Sequence, residues 1–271
     1  MSPDDSYSRR VFQMMERYAQ VVDRGVDERW SQLFSKMELY DAETYEVVIG
    51  LVARQATLTI HLALNPGVWT GHIAPLVLRA MTDVHITLAW ILRDSRARAR
   101  QYILHGLGQE KLLIAHLEAE ADTVDELRET LQEMLEIKKT WLTMQRHDFL
   151  TEVTVGSWSG LNVRTMAIEA DCEGLYRFAY SPFSAAVHST WNHISMHNLR
   201  HCSNPLHKYH RVPVIAALPS DPDYVYRSAK YVSRSFEALD RAFSLRPTTE
   251  LPVAWFETAS EKLSHEESDG R

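Results

Sequence analysis

Apolar residues recur at helical spacing along almost the whole of this 271-residue chain, and little interrupts them. Ten glycines and ten prolines are few for this length, which disfavours a strand-and-turn architecture. The periodicity predicts amphipathic helices over 7–22 and 27–39. A longer helix spans 41–64, opened by Asp41 and stopped by Asn65-Pro66-Gly67. Helix 71–93 follows, with Pro75 tolerated in its first turns. Residues 95–120 form a helix weakened by Gly106 and Gly108, and 123–145 a charged helix with Thr123 and Glu126 spaced as a capping box. The pattern breaks over 146–162, which is turn-rich. Helices resume at 163–180 and 181–201, the second opened by Ser181-Pro182. Residues 202–222 hold four prolines and read as an ordered loop, and 224–245 as a last strong helix. Beyond Arg246 one short helix is expected before a frayed end, SHEESDGR.

The expected fold is all-α, a single-domain bundle of about eight or nine helices, because the long helices lack a sustained heptad repeat and no linker divides the chain. Residues 1–40 supply N-terminal helices, 41–245 the bundle core with the candidate pocket, and 246–271 a C-terminal tail. The net charge of −7 gives no general attraction to nucleic acid or anionic lipid, although a total says nothing about local patches. Cys172 and Cys202 are too few for a disulfide scaffold, so reduced thiols in a cytoplasmic protein are expected. The N-terminus lacks the basic-then-apolar order of a signal peptide. No uninterrupted apolar run reaches the roughly 18 residues of a membrane span. The longest apolar region, 73–92, is broken by Arg79, Asp83 and His85 and reads as a buried helix. No membrane partner is expected.

Chemistry concentrates in 176–201, YRFAYSPFSAAVHSTWNHISMHNLRH. Unrolled as one helix, Phe183, Val187, Trp191 and Ile194 fall within roughly an 80° arc and predict a core stripe. Ser184, His188, Asn192 and Ser195 lie on one flank. His193, His197 and His201 lie on the other at i, i+4, i+8, a spacing at which histidines can reach one metal ion. That trio is a candidate metal site or a polar edge. His188 is a partly desolvated histidine, open to pKa tuning or bonded to a carbonyl. On helix 71–93, Arg79 and Asp83 are i,i+4 on the side opposite Val77, Leu78, Met81, Leu88 and Leu92. They read as a buried structural pair or as an oriented, anion-binding arginine. His85 points to the apolar side and is assigned to the core. Tyr102, Trp158, Arg164 and Tyr176 are further pocket candidates. The basic run RDSRARARQ, 93–101, suits phosphate or RNA but more commonly forms a solvated face.

The segments LVLRAMTDVHITLAWILRDSRARARQYILHG and SWSGLNVRTMAIEADCEGLYRFAYSPFSAAVHSTWNHI resemble an uncharacterised bacterial all-helical family, a domain of unknown function. The likeness covers about residues 45 to 200 and rests on an Arg-x-x-x-acid helix (Arg79, Asp83), a tyrosine helix (Tyr102), a Trp/Gly segment with an arginine (Trp158, Arg164) and a Tyr…Ser-x-x-x-His element (Tyr176, Ser184, His188). It implies that Arg79, Asp83 and His188 meet around one internal pocket. The family's acid is more often Glu, so Asp83 is a departure with a shorter reach. A weaker likeness is to helical toxin and defence ribonucleases, in which an Arg-x4–6-His motif steadies phosphate and moves a proton. Arg100-Gln-Tyr-Ile-Leu-His105 is the best copy here, but thirteen histidines among many arginines produce such spacings by chance.

Three readings follow. One is a metal-independent helical hydrolase, a ribonuclease of bacterial defence or toxicity, with His188 or His105 as general base and Arg79 or Arg100 on phosphate. A second is a non-catalytic helical module for a small ligand or a partner. A third is a metal-dependent enzyme using His193, His197 and His201. RNA or a small molecule is the expected partner, with self-association as a further expectation. No cofactor is expected on the first two readings, and a divalent metal on the third. Nucleophile elbows, Walker loops, dinucleotide fingerprints and zinc-finger spacings are absent from the sequence.

Overall fold

The computed structural model describes residues 3–38, 41–121, 128–145, 157–215 and 217–269. The all-α expectation holds, apart from one small two-stranded sheet. Helices α1 (Pro3–Phe34), α2 (Ala42–Ala63), α3 (Ala74–Ile91), α4 (Ser95–Ala121) and α5 (Arg128–Thr143) come first. Then follow α6 (Val163–Glu169), α7 (Glu173–Leu175), a π turn (Tyr176–Tyr180), α8 (Ser181–Val187) and α9 (Trp191–His197). Strands β1 (Leu199–His201) and β2 (Arg211–Pro213) pair antiparallel, and α10 (Asp223–Phe243) and α11 (Pro252–Asp269) end the order. The capping-box residues Thr123 and Glu126, and residues 146–156, lie outside the described residues. Among the described helices, α2 is long and apolar enough to cross a membrane, and half of that stretch is buried in the protein.

The chain divides into two compact units: Met1–Glu38, Val48–Arg93 and Val163–Arg271 form the first, Leu39–Val47 and Asp94–Asn162 the second. In the first, α10 packs on α3, α11 and α1, while α3 also meets α6, the π turn and α8. Helix α10 can do this because its inner stripe mixes Val225, Val232, Phe236 and Leu239 with the small residues Ser228, Ala229 and Ser235, all fully buried. Small side chains let helix backbones approach while the large ones interlock.

Helix α1 is continuous where two helices were expected. Its buried stripe (Met15, Tyr18, Val22, Arg29, Leu33) runs straight through Gly25, so no break in the pattern exists on the inner face. A Cβ at Gly25 would stand 2.7 Å from Phe236 Cε2, so glycine here serves close approach rather than chain reversal. One turn on, Arg29 is 1% exposed; it donates to the Gly25 carbonyl at 2.9 Å and to Asp240 Oδ2 at 2.7 Å, and lies 4.1 Å from the Phe236 ring centre. Lys36 caps the far end of α10 by donating to the Phe243 and Ser244 carbonyls. Thr249 and Thr248 donate hydroxyl and backbone hydrogens to Glu28, which holds its carboxyl down at about 2.

In the second unit α4 and α5 form an antiparallel hairpin around Leu107, Ile114, Ala121, Leu135 and Leu142. Those positions recur every seven residues on each helix, a short heptad seam within a chain that has no sustained one. Glu110 and Lys138, half-way along it, pair at 2.6 Å and substitute an ion pair for one apolar layer. Gly106 and Gly108 do not interrupt α4.

Asp240→Ala is expected to lower stability by about 3 kcal/mol, because it strands the buried Arg29 charge without its carboxylate. Urea denaturation of the purified variant, followed by circular dichroism, measures it.

Candidate functional site

Arg79 and Ser184 do come together. Arg79 Nε donates to Ser184 Oγ at 2.8 Å, an Nη hydrogen goes to Asp83, and the guanidinium carbon lies 3.2 Å from the Tyr180 ring centre. Ser184 in turn donates to the Tyr180 carbonyl at 2.8 Å. Tyr176 stacks on Tyr180 with ring centres 4.9 Å apart. Tyr180 ends the π turn and Ser184 lies one turn on in α8, at i,i+4, so ring and hydroxyl address the same guanidinium. Two polar edges and one face of Arg79 are therefore engaged, and the group fastens α3 to α8. Burial raises the Asp83 pKa, and the Arg79 charge opposes it. Burial likewise raises Tyr180.

His188 does not join them in a desolvated pocket. Residues 181–201 are not one helix: α8 ends at Val187, Ser189 takes a left-handed φ of 47°, and α9 starts at Trp191. The break discards the common angular reference on which the expected core stripe depended. Phe183 is buried, but Trp191 is 70% exposed and Val187 44%. His188 and Asn192 are exposed, and Asn192 hydrogen-bonds Thr190 instead of flanking Ser184.

The same geometry revises the metal trio. His193 and His197 face each other with ring centres 4.7 Å apart, as their spacing predicts. His201, however, lies exposed on β1 opposite Arg211, because the chain leaves the helix at Asn198. The third ring beside the pair is His72, from the turn before α3, at 6.0 Å from His193 and 5.5 Å from His197. Burial lowers the His193 pKa, and His197 and His72 lower it further.

The other expected residues spread across both units. Arg164 is exposed and lies 3.7 Å from Glu173 in the first unit. In the second, Tyr102 meets Trp158 edge-on at 4.9 Å, and burial raises the tyrosine pKa. Arg100 is exposed and His105 half-buried on α4. The basic run is partly consumed by ion pairs, Arg93 with Asp171 and Arg96 with Asp41.

A cleft of about 620 Å³ opens elsewhere in the first unit, between α10 and the α6–α7 segment, with His85 of α3 on its floor. Arg227, Lys230, Arg234, Glu237 and Arg241 line it from α10. They fall within roughly an 80° arc at three- and four-residue spacing, on the face away from the buried stripe. This 3-4-3-4 pattern is visible in the sequence, on the polar face of a helix notable for its apolar one. Asp223 neutralises Arg227 at 2.6 Å, and Asp171 pairs with Arg93. Lys230 lies 3.9 Å from the Tyr226 ring centre, and neither Arg234 nor Arg241 has a hydrogen-bonded acid among the described residues. Among the described lining residues, Lys230, Arg234 and Arg241 thus face one acid, Glu237, that is not already paired, since Asp223 and Asp171 hold Arg227 and Arg93. His85 is 6% exposed, faces Ser235 Oγ at 3.0 Å, and is pushed down to about 4 by burial and by the Arg234 and Arg241 charges. Cys172, also on the wall, is pushed up to about 11, mainly by burial.

Fold and sites together define an all-helical protein with an arginine-anchored helix junction and a cationic cleft. The chain belongs to DUF5677, a family of unknown function that it matches over residues 45–205, more than half its length. The match contains Arg79, Asp83, Tyr180 and Ser184 and stops before α10. No curated protein and no solved structure matches the chain.

Two measurements probe these groups. Ser184→Ala is expected to cost about 1–3 kcal/mol by leaving a buried charged N–H unpaired. For His85, the unfolded chain binds a proton near pH 6.5 that the folded protein refuses until about pH 4. Stability is therefore complete above about pH 6.5 and falls as pH drops through that window, by about 3 kcal/mol. His85→Asn should flatten thermal stability across the same window.

Proposed function

We propose that this protein is a helical module that binds a phosphate-bearing ligand in the α10 cleft. The observation that carries the reading is the charge imbalance there: Lys230, Arg234 and Arg241 beside a single unengaged acid, Glu237, on a protein whose net charge is −7. Uncompensated guanidinium groups lining a concave surface suit bidentate recognition of phosphate oxygens. His85, neutral near pH 7, adds a hydrogen-bonding floor without a competing charge.

Binding rather than turnover is the better reading of this cleft. A general base works best with a pKa near the operating pH, and His85 lies far below it. Cys172 stays a thiol, which makes it a poor nucleophile. The hydrolase reading rests instead on His188 or His105 with Arg79 or Arg100; the two histidines and Arg100 offer exposed or half-buried side chains outside the cleft, and Arg79 is engaged by Ser184 and Asp83.

Calorimetric titration with pyrophosphate and with a short RNA tests both ideas. Pyrophosphate is expected to bind at low salt and to weaken as salt rises. Arg234→Ala and Arg241→Ala should each reduce affinity about tenfold or more. Affinity unchanged from the wild type in both variants would sink the assignment. Cleavage of the RNA that disappears in His188→Ala or His105→Ala would favour the ribonuclease reading in its place.

A further inference from the structure

Residues 202–210, CSNPLHKYH, reverse the chain between β1 and β2. The Cys202 N–H donates to the His210 carbonyl at 3.0 Å, so the first and last residues of the loop stand side by side. His210 N–H donates to the His207 carbonyl at 3.1 Å, which folds His207 back over them. Cys202 Sγ then lies 3.7 Å from His207 Nδ1, and His207 Nδ1 lies 3.3 Å from His210 Nδ1. One ligand atom from each of the three residues falls within 4.8 Å of the other two.

The 3.7 and 3.3 Å separations match the edges of a coordination polyhedron. Tetrahedral zinc, with Zn–S of about 2.3 Å and Zn–N of about 2.0–2.1 Å, sets S···N and N···N edges of about 3.6 and 3.3 Å. We infer that Cys202, His207 and His210 form a zinc site, with a fourth position open to water or to an incoming ligand. A thiolate with two imidazoles selects a borderline-soft ion over magnesium or calcium, whose preferred donors are oxygens. The Cys-x4-His-x2-His spacing keeps the loop short, so the entropy of gathering the ligands is small.

One contact must yield. Asn204 accepts the Leu206 N–H at 3.0 Å and holds its Nδ2 3.3 Å from His207 Nε2. With metal on Nδ1, Nε2 carries the ring proton, and the Asn204 amide has to turn from it. Both histidines are exposed, so this adjustment disturbs no core. The ion would fix a loop whose tip presents Leu206 and Tyr209, 86% and 93% exposed. The site shares no residue with the α10 cleft or with the His72, His193 and His197 group.

The test uses untagged full-length protein stripped by a chelator and titrated with Co²⁺, then with Zn²⁺. The expected result is one tight equivalent of Co²⁺, with a near-ultraviolet thiolate charge-transfer band and tetrahedral visible bands, both erased by Zn²⁺. Cys202→Ser should abolish the charge-transfer band. His207→Gln and His210→Gln should weaken Zn²⁺ binding about tenfold or more. His193→Gln should leave both unchanged, and far-ultraviolet circular dichroism should show every variant folded. A wild-type protein without the thiolate band overturns the inference, as does unaltered Zn²⁺ affinity in all three hairpin variants.

Discussion

Everything in the first unit depends on how α10 seats against α3. The seating is possible because α10 alternates large apolar residues with serine and alanine on its inner face, so the two backbones come close and Phe236 reaches into the gap left by Gly25 of α1. Ser235 meets His85 across this junction at 3.0 Å. Once the inner face is committed, the outer face has one orientation left. Arg227, Lys230, Arg234 and Arg241 must then line whatever surface lies beside α3, and the α6–α7 segment supplies the opposite wall. The candidate cleft is thus a by-product of core packing, with its charge written on the residues that the core does not use.

Two arginines show how the protein manages cations in its interior. Arg29 takes a carboxylate, a backbone carbonyl and an aromatic face. Arg79 takes a carboxylate, a serine hydroxyl and an aromatic face. Burying a guanidinium is costly unless its charge is offset and its hydrogens are paired, and each site draws its partners from more than one element, although Arg29 Nε and Asp240 Oδ1 stay buried without one among the described residues. The consequence is specificity of docking: α1 is registered on α10 by the first, and α3 on α8 by the second. At Arg79 the Nε and one Nη are taken by Ser184 and Asp83, and one face by the Tyr180 ring. Asp83 reaches it despite its short arm.

The sequence made much of this legible. The 3.6-residue period placed α2, α3, α4 and α10 to within a few residues, and the i,i+4 spacing of Arg79 with Asp83 and of His193 with His197 described real neighbours. Its failures share a cause. The break expected between residues 22 and 27 is absent, because Gly25 sits inside α1, where glycine is locally unfavourable but the approach of Phe236 leaves no room for a Cβ. The histidine helix looked continuous because nothing local forbids 188–190 from being helical. There, tertiary packing held Phe183 inside and released Trp191 to solvent. An angular argument is valid only within an unbroken helix, so His188, Asn192 and His201 were assigned to faces that do not exist.

What the sequence alone determined is local: which segments are helical, which face of each is apolar, and which polar residues are spaced to meet one turn apart. Those properties follow from backbone geometry and need no knowledge of neighbours. The tertiary structure decided the encounters between segments distant in the chain. It brought Ser184 to Arg79, His72 to His193 and His197, and His85 to the basic face of α10, and the turn of a small hairpin brought Cys202 to His207 and His210. Helical periodicity carries no record of which faces will pair, because many partners satisfy one apolar stripe equally well. Only the packing of all of them at once selects the arrangement that makes a site.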